Sequence, residues 1–411
     1  MHCRLSWYSG LMVGTTGNRN STTINRLYGV IRQMNSKERH EARYQRRKMK
    51  RLLHKRQKEA KNGDFDKVFT FDNLYTAFRK CCLGVGWKAS TQRFKANALQ
   101  NVNDIYRSLH NGTYKSRGFY EFDIVERGKE RHIKSVHISE RVVQRCLCDN
   151  ALVPMFSRSF IYDNGACMAN KGIDFAVRRL TCHLQRYFRK HGMDGYALVF
   201  DFSKYFDNIA HEPLKATVCK TFSDPRIVRL VNGFIDDFGE VGLGLGSQIS
   251  QVSALMYPNK LDHYIKEELR IQAYGRYMDD GYLVHESKEN LQHCLQEIRR
   301  LCAELGIKLN EKKTQIVKLS RGLNFLKRRF ILTETGKVIV KPARKGITKM
   351  RRKLRTFKRW LVAGKMKMED IRTSYTSWKG HMKQCNAYRT ILSTDALFDS
   401  LFAGSTAAFD G

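Results

Sequence analysis

The segment Tyr196-Ala-Leu-Val-Phe-Asp201 constrains this chain more than any other. Five consecutive apolar residues, too few for a buried helix, read as a strand covered on both faces. The chain must therefore form a sheet with packing on two sides, and this strand delivers an aspartate at its tip. Residues 270–285 read as two further strands around Tyr277-Met278-Asp279-Asp280-Gly281, a hairpin carrying acids at its turn. Either acid alone is an ordinary turn residue. Together they match a chemical need: transfer of a nucleotidyl group uses two divalent cations about 3.5–4 Å apart. Magnesium takes oxygen ligands, of which only one or two are protein carboxylates.

The charge points the same way. Lysine and arginine number 75 against 39 acidic residues, a net charge of +36. That exceeds what solubility requires and implies a polyanionic partner, nucleic acid first and an acidic membrane surface second. No stretch approaches the roughly 20 apolar residues that span a bilayer. Residues 5–13 are mildly apolar but broken by Ser6, Tyr8, Ser9 and Gly10, with no small-residue cleavage pattern after them. The expectation is a soluble, cytoplasmic protein of two or three structural regions. Its eleven cysteines include no CxxC pair, so they are expected to be reduced and mostly buried thiols rather than zinc ligands.

Along the chain, residues 1–33 show no periodicity, and Met34 opens a dense basic run, which marks it as a candidate alternative start. Residues 37–61 hold many helix formers and few apolar anchors, predicting a solvated helix that serves either as a solubility tail or as a nucleic-acid-contacting arm. Residues 119–138 read as a hairpin turning at Glu126-Arg127-Gly128-Lys129-Glu130. A helix follows through Val142, Val143, Cys146, Leu147 and Leu152, punctuated by Pro154. Leu291, Cys294, Leu295, Ile298, Leu301, Cys302 and Leu305 predict a helix capped by Ser287 and ended by Gly306. Residues 322–341 suit a hairpin turning at Glu334-Thr335-Gly336. Ile347, Met350, Leu354, Phe357 and Leu361 form the core stripe of a helix whose other faces are basic.

Taken in order, these blocks resemble reverse transcriptases over roughly residues 75–340. Tyr277-Met278-Asp279-Asp280 looks like the family's YxDD signature, and Asp201-Phe202-Ser203-Lys204-Tyr205-Phe206-Asp207 like its preceding acidic motif. The resemblance implies that Asp201 and Asp279 ligate two magnesium ions, with manganese a possible substitute. The carbonyl of Phe202 would assist, and Asp280 would support the site more weakly. Tyr277 and Met278 would lie beside primer and template. Phe206 resembles the steric gate that leaves no room for a ribose 2′-hydroxyl, which implies deoxynucleotide substrates. Lys129 and Arg131 resemble the cations that clamp the triphosphate, a role suited to arginine's planar fork. Lys313, in Asn310-Glu-Lys-Lys313-Thr314, aligns with a lysine near the leaving pyrophosphate. Leu323-Asn-Phe325-Leu326 looks like the primer-grip hairpin, although its apolar side chains also suit plain packing.

Gly242-Leu-Gly-Leu245-Gly246-Ser-Gln-Ile-Ser250-Gln251 corresponds to the family's glycine-rich stretch beside the incoming nucleotide, where glycine allows close approach. Its form, with Leu245 before Gly246 and Gln251 after Ser250, is similar to diversity-generating retroelement enzymes of bacteria and phages, and is shared by some defence-associated ones. In the first group the aliphatic residue implies error-prone copying opposite template adenine.

The expected fold is a mixed α/β right-hand polymerase with a largely antiparallel palm sheet. Its expected regions are a basic extension over residues 1–61, fingers over 62–190, a palm over 191–330, and a hairpin end with a basic helical thumb over 331–411. The expected partners are an RNA template, a nucleic-acid primer and deoxynucleoside triphosphates. A structured non-coding RNA or a small basic accessory protein would join them, and no membrane. A rival of another class is a non-catalytic RNA-binding scaffold, which the charge alone permits.

Overall fold

The computed structural model describes residues 35–126 and 129–403. The candidate start at Met34, and Arg127 and Gly128 of the first hairpin's turn, lie outside the described residues. The basic segment is helical, as its composition predicts: α1 spans Ser36–Asn62 and its side chains are almost all exposed. A reciprocal cap starts it, with the Glu38 N–H donating to Asn35 Oδ1 and the Asn35 N–H donating to Glu38 Oε2.

After a single helical turn at Phe65–Val68 the body continues with α2 (Phe71–Cys81), α3 (Ala89–Ala96) and α4 (Ala98–His110). The hairpin of β1 (Phe119–Glu126) and β2 (Lys129–Val136) follows, and then α5 (Ile138–Leu147). Pro154 does not stop this last helix. The chain widens into a π turn over Cys148–Leu152 and runs on through Val153–Phe156, so the hydrogen bond that proline lacks falls where the helix is already loosened.

Next come α6 (Ile173–His191), β3 (Tyr196–Asp201), α7 (His211–Thr221), α8 (Pro225–Asp236) and α9 (Gln248–Met256). They lead to the hairpin of β4 (Tyr274–Tyr277) and β5 (Asp280–His285), then α10 (Lys288–Glu304) and β6 (Gln315–Lys318). The hairpin's first strand starts at Tyr274 rather than 270, because residues 264–268 still belong to a π turn. As expected, the Ser287 hydroxyl caps α10 by accepting from the Asn290 N–H, and Gly306 follows it at a φ of +67°.

These four strands form one antiparallel sheet in the order β4-β5-β3-β6. Leu198 and Phe200 of β3 point into a large core shared with α2, α4, α5, α8, α9 and α10. Ala197 and Val199 point the other way, into a second core with α6. Burial on both faces is why β3 reads as an unbroken apolar run. The second core is closed by β7 (Leu323–Phe325), β8 (Arg328–Leu332) and β9 (Val338–Pro342). Residues 322–341 are thus three strands rather than one hairpin. The additional turn is made by Leu326 and Lys327 at positive φ, without the glycine that marks such turns in sequence.

The chain then forms α11 (Arg344–Val362), α12 (Met368–Lys383) and α13 (Tyr388–Phe402), which enclose a third core around Leu354, Phe357 and Ile371. The predicted stripe of α11 supplies Met350, Leu354 and Phe357 to it. Ten cysteines fall among the described residues and all are free; five are buried, three half-buried, and Cys167 and Cys219 exposed. No described helix is long and apolar enough to cross a membrane.

Gly281 pairs with Phe200 across β5 and β3, and a Cβ at Gly281 would lie 2.2 Å from that ring. Gly281→Ala is therefore expected to overpack the sheet and to cost about 1–3 kcal/mol in urea unfolding. Adding Phe200→Leu should recover part of the loss, whereas an unaltered midpoint for Gly281→Ala alone would contradict this packing.

Candidate active site

The register of the central strands brings the acids together. Asp201 pairs with Asp280 across β3 and β5, and the Phe202 N–H donates to the Asp279 carbonyl at 3.1 Å. Asp201, only 5% exposed, is held from the far side by the segment before β6. The Asn310 N–H donates to its carbonyl at 2.7 Å, the Asn310 side-chain amide to Oδ2 at 3.2 Å, and Lys313 Nζ reaches Oδ1 at 2.7 Å. Burial, then repulsion from Asp201, raises the Asp279 carboxyl above its ordinary range. Asp280 is pushed up to about 7 by burial, by Asp279 and by a hydrogen bond with Asp201. These are carboxylates short of positive charge.

The turn that presents Asp279 is held by a residue the sequence did not single out. Met278 adopts a φ of +53°, rare for a side chain of its size. Its carbonyl accepts from Arg276 Nη1 at 2.8 Å, and Nη2 of the same guanidinium donates to the Leu255 carbonyl at 3.1 Å. Asp262 fixes Arg276 through two bonds of 2.8 and 2.7 Å and also accepts from the Tyr274 hydroxyl at 2.5 Å. Both members of the pair are fully buried. Fourteen positions separate them in sequence, on elements whose proximity is tertiary, so no local pattern announces the pair.

Phe206 lies half-buried on a short 3-10 turn after β3, its carbonyl accepting from the Leu243 N–H at 2.7 Å. The glycine-rich stretch therefore starts beside it. Leu245 is half-buried and bridges Ile133 of β2, with the Lys134 N–H donating to its carbonyl at 3.0 Å. Gly246, at a φ of +114°, has the Lys134 carbonyl 3.0 Å from where a Cβ would stand. What demands glycine here is thus the backbone of β2. Gln251 is exposed on α9. Below the loop, the Ser247 hydroxyl donates to Gln144, Gln144 to Glu140, and Glu140 accepts from Ser116 and the Arg117 N–H. This chain of buried polar groups joins the loop, α5 and the foot of the β1–β2 hairpin.

At that hairpin's tip the backbone of Lys129 pairs with Glu126, and Arg131, opposite Ile124, is exposed. Tyr277 and Met278 are half-buried beside the acids. Of the two roles open to Phe325, its burial fits packing: it is 3% exposed and lies edge-on against Tyr282 with ring centroids 5.0 Å apart. Its alternation with exposed Asn324 turns it into the second core, which leaves half-buried Leu326 at the turn as the accessible apolar residue of that motif.

Among the described residues no three His, Cys, Asp or Glu side chains form a protein-only metal cage. The donor set suits a different arrangement: hard carboxylate oxygens, too few to saturate a cation, of which Asp201 alone is paired with Lys313. A divalent ion shared with substrate phosphate fits it.

The profile of a family described as reverse transcriptase (RNA-dependent DNA polymerase) matches residues 115–330, more than half of the chain. The chain belongs to the reverse transcriptase family. Solved structures similar to this reverse transcriptase include telomerase from Candida albicans in complex with a fragment of telomeric RNA. There the TM-score is 0.42 at 11% identity, covering 59% of this chain and 49% of that one. Apo telomerase from Candida tropicalis gives 0.42 at 11% identity, covering 57% and 52%. A form of it truncated from its C-terminal domain gives 0.40 at 14%, covering 54% of each. The chain spans about half the length of these relatives. A search of curated protein sequences gave no match.

The Arg276–Asp262 pair yields a stability test. Arg276→Met leaves a buried carboxylate without its partner, and the unfolding free energy in urea is expected to fall by about 3–5 kcal/mol. Combining it with Asp262→Leu should restore much of that loss; a double variant as unstable as the single one would show that the two charges do not compensate each other.

Proposed function

We propose that this reverse transcriptase copies an RNA template into DNA by two-metal nucleotidyl transfer at the edge where β3 meets β5. The observation that carries the reading is the register that sets Asp201 against Asp280, with Asp279 beside them in a rigid turn. Asp201 and Asp279, assisted by Asp280 and the carbonyl of Phe202, would hold magnesium or, in its place, manganese. Such ions, when bound, favour the deprotonated primer hydroxyl and neutralise the leaving pyrophosphate.

The chain's own residues supply position and selectivity. Lys313 already reaches the acidic edge and would donate to the departing phosphates. Phe206, anchored to Leu243 through its carbonyl, would close the space a 2′-hydroxyl needs. Lys129 and Arg131 would clamp the triphosphate from the β1–β2 hairpin, whose second strand is tied to Leu245. Leu245, Gly246 and Gln251 would line the nascent base pair. Tyr277, Met278 and Leu326 would contact primer and template, with Phe325 supporting the turn from within. In this reading residues 62–190 are fingers, 191–330 palm and 331–411 the end of a hairpin and a thumb, while the basic run over 1–61 extends the nucleic-acid contact.

At a finer level we read the chain as a bacterial or phage enzyme of the diversity-generating type, working in the cytoplasm. A small basic protein or a structured non-coding RNA would be its partner. The support is Leu245-Gly246 followed by Ser250-Gln251. The same motif favours an anti-phage defence role as the second reading.

Primer extension on an RNA template tests the activity. Wild type is expected to extend with deoxynucleotides, and Asp279→Ala to lose extension by a factor of a thousand or more, about 4 kcal/mol of transition-state stabilisation. RNA binding without any extension would favour the scaffold reading instead. Phe206→Val should admit ribonucleotides, and unchanged sugar discrimination would remove Phe206 from the gate. Sequencing the wild-type products should show errors concentrated opposite template adenine if the enzyme generates diversity, and an even error spectrum if it does not.

A further inference from the structure

A second basic surface stands apart from the acidic edge. Because β3 and β5 are antiparallel, Asp201 and Asp280 share one end of the sheet, and Tyr196 and His285 the other. The five-residue step along β5 separates the two ends by about 17 Å. At the far end lies a cleft of about 590 Å³ between α6, residues 266–273 and the end of β5. Six permanent cations line it, Arg179, Arg186, Arg189, Lys190, Lys266 and Arg270, against two acids, Asp163 and Glu286.

Both acids are already engaged. Glu286 is met by His191 at 2.6 Å. At the floor, Asp163 is 8% exposed and takes Arg179 and Lys266 together, the latter at 2.9 Å. One buried carboxylate thus faces two cations whose side chains are themselves only 17% and 16% exposed, leaving positive charge in excess where water screens it poorly. Burial and the neighbouring Arg179 press Lys266 below its ordinary pKa, although Asp163 opposes them. Arg186, Arg189, Lys190 and Arg270 are exposed, with no acidic partner among the described residues. Arg179, Arg186 and Lys190 recur at seven- and four-residue intervals on one face of α6, a row about 16 Å long.

We propose that this cleft is a second nucleic-acid site, which grips the phosphate backbone of a structured RNA away from the catalytic edge. Three arginines at the rim offer planar forks that pair bidentately with phosphate. The apolar residues of the lining, Tyr187, Ile271, Ala273 and Val284, are fewer than its six permanent cations, a balance that favours a polyanion over a protein partner. Bases would stay unread, because backbone contacts position a nucleic acid without reporting its sequence.

The test uses the full chain, a fluorescein-labelled blunt RNA stem-loop, and an excess of unlabelled primer–template to fill the catalytic channel. The triple charge reversal Arg186→Glu, Arg189→Glu and Lys190→Glu lies on exposed positions, and its folding is checked by thermal melting. Stem-loop affinity at near-physiological salt is expected to drop about tenfold or more, with the slope of log affinity against log salt shallower by about 2–3. Extension of a pre-annealed primer–template should stay within about twofold of wild type, since no substituted residue lies near the acids. Unchanged stem-loop binding overturns the proposal and leaves an acidic protein segment as the partner to seek. Equal loss of stem-loop binding and extension in a folded variant also overturns it, by showing that the cleft belongs to the catalytic channel.

Discussion

Mutual repulsion among carboxylates that strand register forces together is the constraint around which this molecule is arranged. Asp201, Asp279 and Asp280 cannot spread apart, because the backbone hydrogen bonds of β3 and β5 set their spacing. The surroundings answer with Lys313, which pairs with Asp201, and with amide donors from Asn310. Burial first, and then the neighbouring carboxylates, elevate the Asp279 and Asp280 carboxyls, which suits the edge to divalent ions. A sheet with both faces buried is the scaffold such crowding requires, since neither face lets the strands relax.

A fully buried ion pair holds the turn that carries Asp279. Burying Arg276 and Asp262 together is at best neutral for stability compared with apolar packing. What the pair supplies is geometry. One guanidinium reaches the Met278 carbonyl, the Leu255 carbonyl and the Asp262 carboxylate, so the turn, the preceding helix α9 and the hairpin share one anchor. The Ser247–Gln144–Glu140 chain does a parallel service for the glycine-rich stretch.

Much of this was legible in sequence where the signal is local. The apolar run ending at Asp201, the cap at Ser287 and the stripe of α11 each carry their own structure in neighbouring residues, and each forms as expected. The acids and the glycine-rich stretch were legible through their order along the chain. What escaped depends on distant partners or on backbone choices that residue type does not announce. Leu326 and Lys327 turn without glycine, Pro154 sits where a π turn has already relaxed the helix, and the Arg276–Asp262 pair exists only once the short helix Asn259–His263 and the hairpin have packed. For Phe325 the sequence left both a primer contact and plain packing open, because a short apolar motif does not reveal which of its side chains faces inward. The basic cleft escaped for the converse reason: its cations are scattered over a helix and a loop, unlike the dense run of α1.

The helices α11, α12 and α13 enclose an apolar centre of their own, distinct from the two that sandwich the sheet. Among the described residues they meet the second core and its strands through Cys385, which packs against it, and through Asn386 with Val340 and Arg328 with Gln384. Arg328 is itself 1% exposed, so its bond to Gln384 is shielded from water, while the apolar centre of the three helices is built from their own side chains. The carboxy-terminal helices thus owe their packing to an oily interior that draws none of its buried side chains from the sheet.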